Sequence, residues 1–285
     1  MENISEKTLL AVLAHPDDET FGMGGTLALY ARQGVKVHLI CATRGEAGDV
    51  DENYLQGYQS VAERRESELR CAGGLLGLSG IHFLDYRDSG MPGTPDNQNP
   101  RALVMAPQRK VAEEVAHYIR QLKPQIVLTF DPIGGYRHPD HIAIQQATVL
   151  AFDLAADAQW DDGLPAYQAQ RLFFHVMPRG MLRFMVKMMP LFGKDPTKFG
   201  RNRDIDMKSI AEVSFPTHAR IDYRPVAQIR DDASACHASQ GGGFMNRGFI
   251  GWVRRQFSAN EAFMQAYPPP DNGSIKKDLF EGVSI

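Results

Sequence analysis

Five short apolar runs rich in Val, Ile, Leu and Phe recur along the chain, at 8–14, 35–43, 81–84, 126–130 and 172–176, largely continuous rather than alternating with polar residues. Continuous runs suit strands buried on both faces, because an alternating pattern would leave one face in water. Between them lie segments with helical spacing, at about 25–33, 61–76, 107–122 and 139–156. Strand alternating with helix predicts a mostly parallel sheet with right-handed crossovers, hence a Rossmann-like, three-layer α/β sandwich. The pattern weakens after 157. Residues 181–203 mix Met, Phe, Pro and basic side chains, 219–239 has helical spacing again, 241–257 is Gly-rich and aromatic, and the tail after Pro268-Pro269-Pro270 reads as extended. No repeat or low-complexity linker divides the chain, so the expectation is one domain over 1–285, with its core at about 8–178 and a C-terminal elaboration and tail at about 179–285.

Charge narrows the partners. With 31 Lys+Arg against 34 Asp+Glu the net charge is −3, which supplies no general field for nucleic acid or anionic lipid. The apolar run 9–14 is too short for a signal-peptide core or a membrane span. Cys41, Cys71 and Cys236 are odd in number, widely spaced and contain no Cys-x-x-Cys pair, which argues against a disulfide framework or a thiolate zinc site. The expectation is a cytoplasmic protein in a reducing compartment, acting on a small molecule, with no nucleic-acid partner and no membrane span.

In a sheet of this kind, ligands bind beyond the carboxyl ends of the strands, and two of the runs end in ionisable clusters. The first leads into Ala14-His15-Pro16-Asp17-Asp18-Glu19. Four ionisable groups within five positions at the end of a buried strand are costly unless something positive neutralises them, and a divalent metal is the natural candidate. The fourth run ends in Thr129-Phe130-Asp131-Pro132 and, after a glycine turn, reaches Tyr136-Arg137-His138-Pro139-Asp140-His141. Pro139 suits a first helical position, which puts His138 at the cap and His141 one turn later on nearly the same side.

His15, Asp18 and His141 then supply a two-histidine, one-carboxylate set, and three protein ligands with an open fourth position describe a catalytic zinc site. Asp17 is placed to take a proton from water, and His138, oriented by Asp140, to stabilise an oxyanion or protonate a leaving amine. A lone histidine at a strand end is more often a cap or core residue than a ligand; the two clusters at corresponding strand ends carry the argument together. Zn2+ is the expected metal, while Fe2+ or another divalent ion uses the same ligand types. Gly22-Met23-Gly24-Gly25-Thr26-Leu27 suggests a dinucleotide fingerprint, but Leu27 stands at its third glycine and Asp17, Asp18 and Glu19 would repel a pyrophosphate. Close helix packing accounts for these glycines better.

The two clusters resemble the hallmarks of the LmbE-like (PIG-L) family of zinc-dependent N-deacetylases, an Ala-His-Pro-Asp-Asp-Glu motif after the first strand and a later His-Pro-Asp-His. The resemblance extends to Gly24-Gly25-Thr26-Leu27-Ala28, Arg44-Gly45-Glu46-Ala47-Gly48, Arg65-Glu66-Ser67-Glu68-Leu69, Asp85-Tyr86-Arg87-Asp88-Ser89-Gly90-Met91 and His237-Ala238-Ser239-Gln240. It implies zinc ligands His15, Asp18 and His141, a general base at Asp17, and an electrostatic or acid role for His138 with Asp140 as its partner. It further implies sugar contacts from Arg65 and Asp88, and assistance to the tetrahedral intermediate from Tyr136. Arg65 has a plainer explanation as part of a charged helical face with Glu63, Arg64, Glu66 and Glu68, Asp88 as a turn cap, and Arg44 and Glu46 as a loop-fixing ion pair.

The expected function is metal-dependent hydrolysis of an N-acetyl group from an N-acetylglucosamine-type sugar or sugar conjugate, by zinc-activated water with Asp17 as base. An amidase acting on a larger acyl group, and a non-catalytic sugar-binding member of the fold, are the alternatives. The segment 181–199 departs from the family pattern. Its Met181, Phe184, Met185, Met188 and Met189 fall near helical spacing and suit a packed or homo-oligomer-forming surface, or else a lid. Phe244, Phe249, Trp252 and Phe257 allow the same two readings.

Overall fold

Thr8–Leu13 (β1) is buried at every position because it lies inside the sheet and is covered on both faces. The computed structural model describes residues 6–177, 179–198, 205–243, 259–271 and 273–284. The other strands are Lys36–Thr43 (β2), Gly80–Tyr86 (β3), Ile126–Phe130 (β4), Arg171–Val176 (β5), Ala219–Asp222 (β6) and Asn260–Tyr267 (β7). They form one sheet in the order β3-β2-β1-β4-β5-β7-β6. The pairs from β3 to β5 are parallel, whereas β7 runs antiparallel to both β5 and β6. The five apolar runs are the five parallel strands.

The helices are Asp18–Gly22 (α1), Gly24–Arg32 (α2), Val61–Leu76 (α3), Gln108–Leu122 (α4), Gly134–Arg137 (α5), Pro139–Ala156 (α6), Arg179–Met188 (α7), Met207–Glu212 (α8) and Ala227–Cys236 (α9). Helices α4 and α6 pack together on one side of the sheet, and α2, α3 and α9 on the other. The core is built from the strands and their covering helices, including Leu10, Leu13, Leu27, Ile40, Val115, Leu128 and Phe173. Each such side chain contributes roughly 1.5–3 kcal/mol by leaving water. The chain turns from β1 to β2 on one side and reaches β4 on the other, so β1 and β4 flank the switch point where a crevice opens.

The second half differs from expectation. Residues 219–222 are strand, not helix: Ala219 and Ile221 alternate inward and pair with β7, and helix begins only at Ala227. Strand β7 was not legible as a run, and with β6 it extends the same sheet rather than forming an appendage. The tail is not simply extended: Leu279 and Phe280 are buried, and the Tyr30 hydroxyl donates to Asp278 while accepting the Leu279 N–H. The expectation of no disulfide is overturned as well. Cys71 on α3 is bonded to Cys236 at the end of α9, 165 residues away, a proximity that only the packing of those helices creates. With it goes the cysteine argument for a reducing compartment.

The glycines after α1 are packing positions. A Cβ on Gly25 would stand 2.1 Å from the Tyr223 ring. The Gly25 and Thr26 N–H groups at the start of α2 donate to the buried Glu261 carboxylate at 3.0 and 2.7 Å. The place where a pyrophosphate would sit at a helix N-terminus is thus taken by the chain's own anion. No helix among the described residues is long and apolar enough to cross a membrane.

Candidate active site

Strand β1 ends by delivering His15 into the crevice, and α1 starts at Asp18 directly after Asp17, whose φ of 122° is rare for an L residue. Such backbone costs on the order of 1–3 kcal/mol and persists only where surroundings impose it. Beyond β4, the buried Asp131 carboxylate accepts the N–H groups of Ile133 and Gly135 and meets Arg179 of α7, closing the glycine turn that leads to Tyr136. His138 caps α6, with Nδ1 accepting the Asp140 N–H at 3.2 Å and Pro139 in the first turn. One helical turn brings His141 to the same side, where its ring stacks on Phe130.

Three of these groups converge. His15 Nδ1 lies 3.1 Å from His141 Nε2, Asp18 Oδ1 lies 3.2 Å from His141 Nε2, and Asp18 Oδ2 lies 3.6 Å from His15 Nδ1. Tetrahedral ligands about 2.0–2.2 Å from a metal stand about 3.3–3.6 Å from one another. The outer nitrogens are already engaged: His141 Nδ1 faces the Gly134 carbonyl at 3.2 Å, and His15 Nε2 faces Asp140 Oδ2 at 3.1 Å and Asp88 Oδ1 at 3.4 Å. With the ring hydrogens directed to those partners, His15 Nδ1 and His141 Nε2 would present lone pairs toward Asp18. Two imidazole lone pairs and a carboxylate oxygen in contact repel unless a cation lies among them, so the donor set fits a divalent metal. His138 also has a nitrogen within 4.8 Å of ring nitrogens of His15 and His141; Asp18 makes the closer set and brings the charge.

The remaining groups surround this point. Arg65 is buried, not on a solvated face, and its Nη2 reaches Asp17 Oδ2 at 3.0 Å and the Pro16 carbonyl at 2.7 Å, while Nη1 reaches the Gly45 carbonyl at 3.0 Å. Gly45, with φ 69°, admits that guanidinium because a Cβ there would lie 2.0 Å from Nη1. Burial, reinforced by the charge of Asp18 and opposed by that of Arg65, raises the Asp17 pKa to about 6. Burial and the neighbouring imidazoles hold His138 well below its ordinary range. Burial works against the Asp88 carboxylate, yet His15 and the Gly90 N–H keep it ionised far below the usual range. Burial pushes the Tyr136 phenol up.

The cleft has a volume of about 280 Å³ and exposes Asp17, Arg65, Asp88, Tyr136, His138 and Gln240 along its wall. Among the described residues, larger clefts of about 520, 530 and 330 Å³ lie elsewhere on the surface, and none gathers buried histidines with carboxylates.

Residues 10–152 match the family described as PIG-L: GlcNAc-PI de-N-acetylase. The chain is also 35% identical, over 83% of its own length and 82% of the relative's, to the 1D-myo-inositol 2-acetamido-2-deoxy-alpha-D-glucopyranoside deacetylase of Rhodococcus jostii (strain RHA1). The chain belongs to the PIG-L family. Among solved structures it is similar to N,N'-diacetylchitobiose deacetylase from Pyrococcus horikoshii, with a TM-score of 0.61 and 20% identity covering 92% of this chain and 84% of that one. It is similar to the same TM-score, 0.61, to the 4-carboxy-2-hydroxymuconate hydratase GalB from Pseudomonas putida KT2440, at 18% identity over 94% and 99%. A deacetylase and a hydratase on one backbone make the likeness one of fold, and the chemistry rests on side chains.

For this PIG-L member the structure redistributes several roles read from sequence. The Asp140 carboxylate does not orient His138: it lies on His15 and on Ser89, whose N–H donates at 2.8 Å and whose hydroxyl donates to the other oxygen. Only the Asp140 backbone N–H reaches His138. Arg44 and Glu46 are not a pair with each other: Arg44 binds Glu66 and Asp85, and Glu46 accepts the Asp88 N–H at 3.0 Å. Asp88 caps the Gly90 N–H at 2.8 Å, which is the plainer of its two readings, and it also lines the cleft. Ser89, Asp131 and Glu46 had no assigned chemistry, and their position one to three residues beyond strand ends was the available signal.

Within the described part of the 181–199 segment, which ends at 198, lie most of α7 and a short 3-10 turn at Met189–Phe192. Leu182 packs with Ile210 and Ala211 against Tyr136, and Ile205 lines the cleft, whereas Phe184, Met185, Leu191 and Phe192 are exposed. Phe244, Phe249, Trp252 and Phe257 lie outside the described residues.

Proposed function

We propose that this chain is a metal-dependent N-deacetylase acting on an N-acetylglucosamine-type sugar conjugate, with His15, Asp18 and His141 as the ligands of a divalent cation. The observation that carries the reading is the convergence of His15 Nδ1, His141 Nε2 and the Asp18 carboxylate, 3.1–3.6 Å apart, beside the raised carboxyl of Asp17. Zinc suits two histidines, one carboxylate and an open position, and supplies Lewis acidity toward an amide carbonyl and acidification of water.

Asp17 accepts the proton of the attacking water; its carboxylate is held by Arg65 and faces the cleft. His138, neutral and with Nδ1 occupied by the Asp140 N–H, presents Nε2–H as a donor to the developing oxyanion. Tyr136, two residues before His138 on the same connection and with its phenol protonated, offers a second donor. Asp88 and Arg65 line the cleft where sugar hydroxyls would lie. Arg65 already commits its Nη atoms to Asp17, Pro16 and Gly45, so its first task is to hold the base. As the C–N bond breaks, the proton that Asp17 took from water passes to the departing nitrogen, so the products are acetate and the free amino sugar.

The test is release of free amine from a panel of N-acetylglucosamine conjugates that includes the inositol glycoside, with zinc and after chelation, using Asp17→Asn protein as the blank. Metal-dependent release that the blank lacks supports the proposal. Zinc-loaded protein that releases amine from no member overturns it.

A further inference from the structure

Glu19 and His237 are both fully buried, 218 residues apart in sequence, and in contact: His237 Nε2 lies 2.6 Å from Glu19 Oε1. The other carboxylate oxygen, Oε2, accepts the backbone N–H of Asp17 at 2.9 Å. That amide belongs to the residue with φ 122°, so the bond ties the peptide plane entering the unusual turn to a side chain that is itself anchored. On the far side of the turn, the Asp17 carbonyl accepts the N–H groups of Thr20 and Phe21 and the Thr20 hydroxyl.

His237 is itself firmly placed. It follows Cys236, which is bonded to Cys71 of α3. Two residues later, Ser239 donates its N–H and hydroxyl to the buried Glu68 of the same helix at 2.9 and 2.6 Å. Helix α3 also carries Arg65, which grips the Asp17 carboxylate. Side chain and backbone of Asp17 are therefore held from one frame, the carboxylate through Arg65 and the amide through Glu19 and His237.

We propose that Glu19 and His237 are a positioning pair for the reaction: they hold the Asp17 backbone in its left-handed turn so that its carboxylate stays beside Arg65 in the cleft. The proposal rests on the reading of Asp17 as the base. It differs from a merely stabilising buried pair, which would alter melting temperature without altering turnover of the folded enzyme.

The experiment measures zinc content, melting temperature, kcat and KM on the full-length, zinc-loaded protein, with the conjugate that releases amine most readily. Loss of the donor in His237→Leu is expected to lower kcat on the order of 10–100-fold, the scale of a misplaced catalytic group, with zinc content and KM near wild type. His237→Gln, which keeps an N–H donor for Glu19, is expected to recover most of kcat. If His237→Leu leaves Glu19 unpaired and fails to fold, Glu19→Gln/His237→Leu buries no lone charge and is expected to show the same kcat loss. Wild-type kcat in a folded leucine variant, or equal loss in the Leu and Gln variants, overturns the proposal. Full turnover in Asp17→Asn would instead remove Asp17 as base, and an inactive Asp17→Asn beside a fully active His237→Leu would remove only the positioning role.

Discussion

His15 Nε2 and Asp140 Oδ2 lie 3.1 Å apart in the buried floor of the cleft, and Ser89 holds the same carboxylate with its N–H and hydroxyl. A carboxylate behind a histidine fixes its tautomer and raises the basicity of the opposite nitrogen. Here that nitrogen is Nδ1, the one that meets His141 and Asp18. Asp140→Ala should weaken zinc binding by about 10–100-fold, and Asp140→Asn by less because its amide oxygen can still accept from His15 and Ser89. Chelator competition measures both; unchanged affinity in the alanine variant would dismiss the link.

The ligand set is separable from His138. His141→Ala is expected to lose metal and turnover together, because it removes a nitrogen in contact with both other ligands. His138→Gln should keep its metal and lose turnover. Metal analysis of the two purified proteins decides, and a His138 variant lacking zinc would favour the three-histidine grouping.

Asp17→Asn keeps the Arg65 contact through its amide oxygen but cannot accept a proton. Turnover should fall about 10²–10⁴-fold with zinc content unchanged. Near-normal steady-state rates in that variant would contradict the assigned role.

Acid stability carries a signature of His175 on β5. Burial, together with the nearby charge of Arg179, pushes its pKa down to about 4, against about 6.5 unfolded. The unfolded chain therefore binds this proton first, so stability is full above about pH 6.5 and declines as pH falls toward about 4. The melting temperature of the wild type should fall relative to that of His175→Leu as pH drops between those limits. Parallel curves across that window would mean that His175 does not titrate as described.

The parallel half of the fold was legible because β1 and β4 are buried at every position and β2 and β5 at most, so each reads as a mainly apolar run. Strands β6 and β7 were not, because β6 has only four residues in a BeBe alternation, and β7 mixes Glu261 and Gln265 with apolar residues. Both polar side chains are buried there: the N–H groups at the α2 N-terminus donate to Glu261, and Gln265 Nε2 donates to the Pro268 carbonyl.

The sequence by itself determined the parallel α/β class, the two histidine–aspartate clusters and their place at strand ends, since burial on two faces and helix-cap chemistry are local rules. Tertiary structure alone decided the pairings between distant residues. Asp140 serves His15 rather than its neighbour His138, Arg65 turns from a charged helix into the floor of the cleft, Cys71 meets Cys236, and His237 reaches Glu19. Spacing along a chain specifies which side chains share one turn of one element. Which of them meet from separate elements depends on sheet order and helix packing, because a hydrogen bond or ligand contact exists only within about 3 Å.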